Sequence, residues 1–296
     1  MRLYHPAGER PVVEIAAAKG DLTISLCIPA RDEASTIGPI VAAVRRALVE
    51  DMALIDEIVV ADDGSTDGTA EQARSAGADV VTVATALPAV DERTGKGEAM
   101  WKSLAVSTGD LIVWVDGDLD QFDPRWPARL VAPLVFDPAI SMVKGSYRRL
   151  SPKPSTGGGR VTELVARPVL AMLHPRLASI AQPLGGEYAA RRSSLVDVPF
   201  AGGYGVDLGL LIDICERDGF ESIAQVDLGE RRHRNRPLEE LSIQAAEVLH
   251  VALRRAGVAV GAPPTLPGPF ASAATYETRD RPPLSSLFDQ VDRATA

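Results

Sequence analysis

Apolar residues in the first half of the chain fall into short unbroken runs that alternate with stretches of helical spacing. A β-rich run over 23–28 predicts a strand. Ile37, Ile40, Val41, Val44 and Leu48 then recur on one helical face, with Ser35 as the expected N-cap. A second strand is expected over 57–61, running into Asp62-Asp63-Gly64-Ser65-Thr66-Asp67, a turn and cap cluster before a helix over 68–76. Strands over 78–83 and 111–115 flank a helix expected over 97–107. Short, wholly apolar strands separated by helices indicate an α/β fold, with a mostly parallel sheet covered on both faces. Right-handed crossovers bring the loops after the strands to one edge, where open α/β sheets bind ligands.

The pattern loosens after residue 140. A strand over 140–145 is expected, then a helix opened by Gly157, Gly158 and Gly159 and running to about residue 173. A strand or hairpin over 187–196, a helix over 205–217, a strand over 220–228 and a long helix over 238–256 follow. Beyond Val260, six prolines by Pro283 leave little periodicity, and the tail reads as irregular.

Composition narrows the class. The 296 residues are 46% apolar and 24% charged, enough for a sizeable core in one large domain or two ordinary ones. With 40 acidic and 31 basic side chains the net charge is −9, which argues against general nucleic-acid binding. Two cysteines, Cys27 and Cys215, cannot frame a disulfide scaffold and suit a reduced cytoplasm. No apolar run approaches the roughly 18 residues of a membrane span, and the N-terminus lacks the apolar stretch of a signal peptide.

Asp116-Gly117-Asp118 directly follows the apolar run at 111–115, which puts two carboxylates at the loop edge. Oxygen ligands so arranged suit a hard divalent cation whose shell a diphosphate can complete. A plain Asp-Gly turn is the competing reading. Pro29-Ala30-Arg31-Asp32-Glu33 and the 62–67 loop share that edge and can converge on one ligand, their carboxylates accepting from a base N–H and from ribose hydroxyls. No Gly-x-Gly-x-x-Gly follows the first strand, which weighs against a dinucleotide site. Gly95-Lys96-Gly97 is not a Walker-type phosphate loop, since Val90 stands where the first glycine belongs. Lys96 at a helix start can still reach a phosphate as a point charge.

Three further motifs belong to the second half. The helix start at Gly159-Arg160-Val161-Thr162 offers backbone N–H groups and two side-chain donors to an anion, with a solvated linker as the alternative. Arg231-Arg232-His233-Arg234-Asn235-Arg236 concentrates positive charge in an acidic protein and marks another anion site, against a merely solvated face. Gly203-Tyr204-Gly205-Val206-Asp207 brings a tyrosine and a carboxylate together, although a carboxylate near a helix start is favoured in any case.

A first strand ending in Pro-Ala-x-Asp-Glu, a second ending in Asp-x-Gly-Ser-Thr-Asp and a later Asp-x-Asp resemble the GT-A nucleotide-sugar glycosyltransferases. Within that fold, the stretches at 93–100, 159–162, 203–207 and 232–235 resemble the actinobacterial glucosyl-3-phosphoglycerate synthases, in order over residues 23–255. The mannosyl-3-phosphoglycerate synthases are related. The resemblance implies a Rossmann-like GT-A domain that moves glucose from UDP-glucose to 3-phosphoglycerate, with retention of configuration and with Mg²⁺ or Mn²⁺. It divides the chain into an N-terminal extension (1–20), a nucleotide-sugar-binding half (21–145), an acceptor-binding half (146–260) and a Pro-rich tail (261–296).

The same resemblance implies roles residue by residue. Asp118 and His233 would ligate the metal, with Asp116 a further candidate. Pro29, Ala30, Glu33, Asp63, Lys96, Asp116, Asp118, Tyr204 and Asp207 would bind the nucleotide sugar. Gly159, Arg160, Val161, Thr162 and Asn235 would bind the acceptor, and Asp118, Asp207 and Lys96 are the expected catalytic residues. A cytoplasmic homodimer is implied too, with the 238–256 helix as a candidate interface. Two positions depart from the family's pattern: Asp207 stands where Glu is usual, one methylene shorter, and Gly117 where Ser is frequent. Rival readings are a family 2 transferase acting on a lipid phosphate or polysaccharide, a mannosyl-transferring relative, and a nucleotide-sugar-binding protein without turnover.

Overall fold

The computed structural model describes residues 2–4, 10–150, 159–232, 238–261, 265–266 and 274–287. Its strands are β1 (Arg2–Tyr4), β2 (Ile24–Ala30), β3 (Glu57–Asp62), β4 (Asp79–Thr82), β5 (Leu111–Trp114), β6 (Met142–Leu150), β7 (Tyr188–Arg191) and β8 (Ile223–Arg232), in one sheet ordered β1-β8-β6-β7-β5-β2-β3-β4. All neighbours pair in parallel except β7, which runs antiparallel to both β5 and β6. The chain leaves β2 toward β3 and β4 and returns to lay β5 on the other side of β2. That reversal opens a crevice at the carboxyl ends of β2 and β5, the place where such sheets take ligands.

The helices are α1 (Val12–Ala18), α2 (Ile37–Val44), α3 (Thr69–Ser75), α4 (Lys96–Val106), α5 (Arg125–Phe136), α6 (Arg167–Leu173), α7 (Arg192–Leu195), α8 (Val206–Asp218) and α9 (Leu238–Arg255). Two apolar layers result. On one face of the sheet Ile15, Ile37, Ile40, Val41, Trp126 and Leu130 close over β2, β3 and β5; on the other Met100, Trp101, Leu170, Leu211, Val248 and Leu284 do so. The central strands are buried on both faces, which accounts for their continuous apolar runs.

Several local expectations change. Thr36, not Ser35, precedes α2, and its hydroxyl donates to the Gly117 carbonyl at 2.7 Å instead of capping the helix. The 187–196 segment is not a hairpin but the single strand β7 followed by α7. Helix α5 went unread because Pro124, Pro127 and Pro133 interrupt its periodicity. Pro127 sits in the first turn, where an N–H has no intrahelical partner.

Described segments near both ends of the chain join the fold. β1 adds an outer strand beside β8, and Ile15 of α1 is buried. The tail is not irregular throughout. Arg281 exchanges backbone hydrogen bonds with Phe200, its guanidinium clasps the Glu98 carboxylate at 2.6 and 2.8 Å and reaches Asp91, and Leu284 enters the core.

Candidate active site

The two loops after β2 and β3, expected to converge on one ligand, are also hydrogen-bonded to each other. The Asp32 N–H donates to Ser65 Oγ at 2.9 Å, the Thr66 N–H to Asp32 Oδ1 at 2.8 Å, and the Ala34 N–H to Asp67 Oδ2 at 3.0 Å. Asp67 also accepts the Thr69 N–H at 3.0 Å, so it serves the start of α3. Asp63 is buried and accepts the Gly95 N–H at 2.8 Å, with Arg31 at 3.5 Å. Burial pushes its carboxyl above the usual range against the pull of these donors. Asp63 thereby ties the second loop to the start of α4.

Lys96 opens that helix. Gly97 beside it lets α4 approach the 201–203 turn: a Cβ there would stand 2.0 Å from the Ala201 carbonyl oxygen. The Lys96 ammonium bridges two carboxylates, Asp116 Oδ1 at 2.9 Å and Asp207 Oδ2 at 3.0 Å. Burial alone would lower its pKa, but Asp116 and Asp207 more than reverse this and hold it above the ordinary lysine value. Lys96 is therefore a fixed cation at any physiological pH.

Asp116 lies at the far end of β5 and takes a second cation. Arg231 Nη2 donates to its Oδ2 at 3.0 Å and comes within 3.5 Å of Asp118. Burial works to raise Asp116, yet Lys96 and Arg231 drive it well below the carboxylate range. The other guanidinium nitrogen of Arg231 donates to Tyr147 at 2.8 Å and meets Glu187 at 2.9 Å. Arg231 was read as the first residue of an anion-binding run; instead its side chain is buried and its charge is engaged by three carboxylates. Asp207 completes the group. Its Oδ1 accepts the Tyr188 hydroxyl at 3.1 Å, and burial raises its pKa while Lys96 and Lys144 oppose that.

These groups line one cleft of about 470 Å³ at the β2/β5 reversal. Pro29, Ala30, Glu33, Asp63, Lys96, Asp116, Asp118, Tyr204 and Asp207 all line it, as do Gly159, Arg160, Val161 and Thr162. Every site residue expected from the sequence and described in the structure is therefore in one place. His233 and Asn235 lie outside the described residues, as do Gly157, Gly158, Arg234 and Arg236.

Several residues of the site were not foreseen. Glu187 and Tyr188 sit behind Asp116 and Asp207, with only a Gly-Gly-Glu run as a signal. Glu247 of α9 accepts the Tyr204 N–H at 2.7 Å and gave no sign in an amphipathic helix. Tyr276 and Glu277 of the tail also line the cleft.

Chemically, the cluster sets Asp116, Asp118, Asp207 and Glu187 against Lys96, Lys144 and Arg231, so with all ionised it carries an excess negative charge. That excess, and the all-oxygen donors Asp116 and Asp118, fit a hard divalent cation. Among the described residues no group of three or more His, Cys, Asp or Glu side chains is placed to hold one alone. Completion of such a shell falls to substrate oxygens, water or residues outside that set.

The model of the glycosyl transferase family 2 matches residues 25–160. Glucosyl-3-phosphoglycerate synthase from Mycolicibacterium paratuberculosis is 47% identical over 292 residues, covering 93% of this chain and 88% of that protein. The enzyme of that name from Petrotoga mobilis is 46% identical over 260 residues, covering 86% and 80%. The crystal structure of Mycobacterium tuberculosis glucosyl-3-phosphoglycerate synthase with Mn²⁺, UDP-glucose and phosphoglyceric acid superimposes with a TM-score of 0.87 at 43% identity, over 97% of this chain and 99% of that one. Sheet order, cleft and relatives agree: this chain has the GT-A fold and belongs to the glucosyl-3-phosphoglycerate synthase family of glycosyltransferases.

Proposed function

We propose that the cleft transfers glucose from UDP-glucose to the hydroxyl of 3-phosphoglycerate, giving glucosyl-3-phosphoglycerate and UDP. The observation that carries this reading is the Asp116–Lys96–Asp207 bridge lining one cleft with Gly159, Arg160, Val161 and Thr162, in a chain 47% identical to a glucosyl-3-phosphoglycerate synthase. A diphosphate sugar in that cleft meets both a cation and an anion cradle.

In this reading Pro29, Ala30, Glu33 and Asp63 receive the uridine, and Asp116 the ribose. Asp118 and His233 would hold Mg²⁺ or Mn²⁺, with Asp116 nearby; the bound ion supplies charge neutralisation for the departing diphosphate. Lys96, kept protonated by its two carboxylates, adds a positive charge to the same leaving group. Tyr204 and Asp207 orient the hexose. Gly159, Arg160, Val161, Thr162 and Asn235 hold the phosphate and carboxylate of the acceptor.

Retention of configuration is what the family resemblance implies, and Asp207 is compatible with a same-face route. One of its oxygens accepts from Tyr188 and the other from Lys96, so it is engaged in orientation and not aimed as a nucleophile. The acceptor hydroxyl then enters on the face the diphosphate leaves, and its proton passes to the departing phosphate oxygen. The reading extends to a cytoplasmic homodimer with the outer side of α9 as its contact; sedimentation would then report twice the 31.4 kDa chain mass. No helix among the described residues is long and apolar enough to cross a membrane.

The test is a nucleoside-diphosphate-release assay, reading UDP from UDP-glucose or GDP from GDP-mannose, with 3-phosphoglycerate, a neutral polyol or no acceptor, before and after chelation. Release that requires UDP-glucose, 3-phosphoglycerate and a divalent ion together is expected. Equal release without acceptor, or preference for GDP-mannose, contradicts it.

A further inference from the structure

β6 carries a charge that the reaction scheme does not use. Lys144 is fully buried in the sheet, and no carboxylate among the described residues lies within ion-pair distance of it. Its ammonium donates to the Gly185 carbonyl at 2.7 Å and sits 4.0 Å from the centre of the Tyr188 ring. Tyr188 in turn donates to Asp207, and Asp207 accepts from Lys96. On the other arm, Gly185 leads into Gly186, which packs against the Asp116 carboxylate, and into Glu187, which pairs with Arg231. One side chain thus braces the segment behind Asp116 and the phenol behind Asp207.

A buried ammonium is an unfavourable way to fill space, because desolvation disfavours its charge. Burial draws Lys144 down to about 8; Asp207 from α8, Glu187 from the segment before β7 and Asp116 from the end of β5 oppose that, and Lys96 from α4 adds to it. It remains mostly protonated near neutral pH. A cation on a tyrosine face and a charge-assisted bond to a carbonyl are directional, whereas a methionine of similar volume would supply packing alone.

We infer that Lys144 is a positioning residue of glucosyl transfer: through the Gly185 carbonyl and the Tyr188 ring it fixes Asp116 and Asp207 where the diphosphate sugar meets them. The inference rests on the UDP-glucose reading for the sugar's place. It is tested by comparing the full-length wild type with Lys144→Met, Tyr188→Phe and the double variant, measuring kcat, KM for UDP-glucose and UDP affinity by calorimetry. If the wild type is inactive with UDP-glucose, that reading fails first.

With an active wild type, Lys144→Met is expected to lower kcat roughly tenfold and to weaken UDP by clearly less than that. The reason is that Asp207 meets the hexose, which UDP lacks, and the uridine loops after β2 and β3 are separated from Lys144 by β7 and β5. The double variant is expected to lose less than the product of the two single losses. Unchanged kcat overturns the inference. So does a parallel loss of kcat and UDP affinity, which a general structural role would give, or a fully multiplicative double variant. Should Lys144→Met not fold, Lys144→Gln, which keeps a donor for the carbonyl but no charge on the ring, is judged by the same outcomes.

Discussion

Gly186→Ala isolates the placement of Asp116 without removing any charged group. A Cβ at position 186 would lie 2.0 Å from Asp116 Oδ1, 2.3 Å from its Cγ and 2.5 Å from its Oδ2. The carboxylate must retreat by about 1 Å or more, and a misplacement of that size costs on the order of 100-fold in rate. It cannot retreat freely, since Lys96 holds one oxygen at 2.9 Å and Arg231 the other at 3.0 Å. Each charge-assisted bond contributes roughly 1.5–3 kcal/mol, so the strain is shared between Asp116 and the Gly186 backbone. A 100-fold loss corresponds to about 2.7 kcal/mol of transition-state stabilisation. Gly38→Ala in α2 is the control: its Cβ would meet nothing nearer than Gln72 at 3.7 Å. Steady-state UDP release under saturating 3-phosphoglycerate is the assay, with thermal melting to confirm folding. If Gly186→Ala keeps kcat within twofold of wild type, the fixed Asp116 carboxylate is not what the site depends on.

Lys96→Met should reduce kcat by roughly 10²–10³-fold, the usual cost of losing one preorganised charge at a leaving group, and near-wild-type turnover would remove Lys96 from the chemistry. Arg281→Ala strips the buried Glu98 of its bidentate partner, leaving Lys102 at 3.1 Å, and should lower unfolding free energy by about 3 kcal/mol in urea melts; a change under about 0.5 kcal/mol refutes the tail's role as a strap. Glu57 accepts from Ser25 Oγ at 2.5 Å and from the Thr108 and Gly109 amides at 2.5 and 3.3 Å. Burial opposes these bonds but they win and hold its carboxyl below the ordinary 4.5. Its folded value being the lower one, the stability it adds is present above 4.5 and lost as pH falls; Glu57→Gln should flatten the acid limb of a stability–pH curve, and an unchanged limb contradicts this.

The first half of the chain was legible because β2, β3 and β5 are buried on both faces and so read as apolar runs, while Asp116 and Asp118 follow the β5 run directly and Lys96 opens the helix before it. Loop chemistry was legible in part: Asp67 serves the start of α3 as read, while its hold on the Ala34 N–H and the Asp32–Ser65 contact come from the fold. What escaped reading depends on distant partners. Nothing near Arg231 in sequence shows that Asp116 and Glu187 engage it, and Lys144 looks like an interruption in a strand until Tyr188 is placed over it. Prolines hid α5, and the tail's prolines hid the Arg281 clasp. Both are cases where tertiary packing overrides a local signal.

The account's central claim is a glucosyl transfer that keeps its stereochemistry and ends on phosphoglycerate. The direct measurement is ¹³C NMR of the product formed from [¹³C₆-glucosyl]UDP-glucose, 3-phosphoglycerate and Mn²⁺. The account predicts one new α-linked anomeric signal, whose proton shows a long-range correlation across the glycosidic oxygen to the acceptor carbon that bore the hydroxyl, growing in step with UDP. A β-linked product, or free glucose alone, would contradict it.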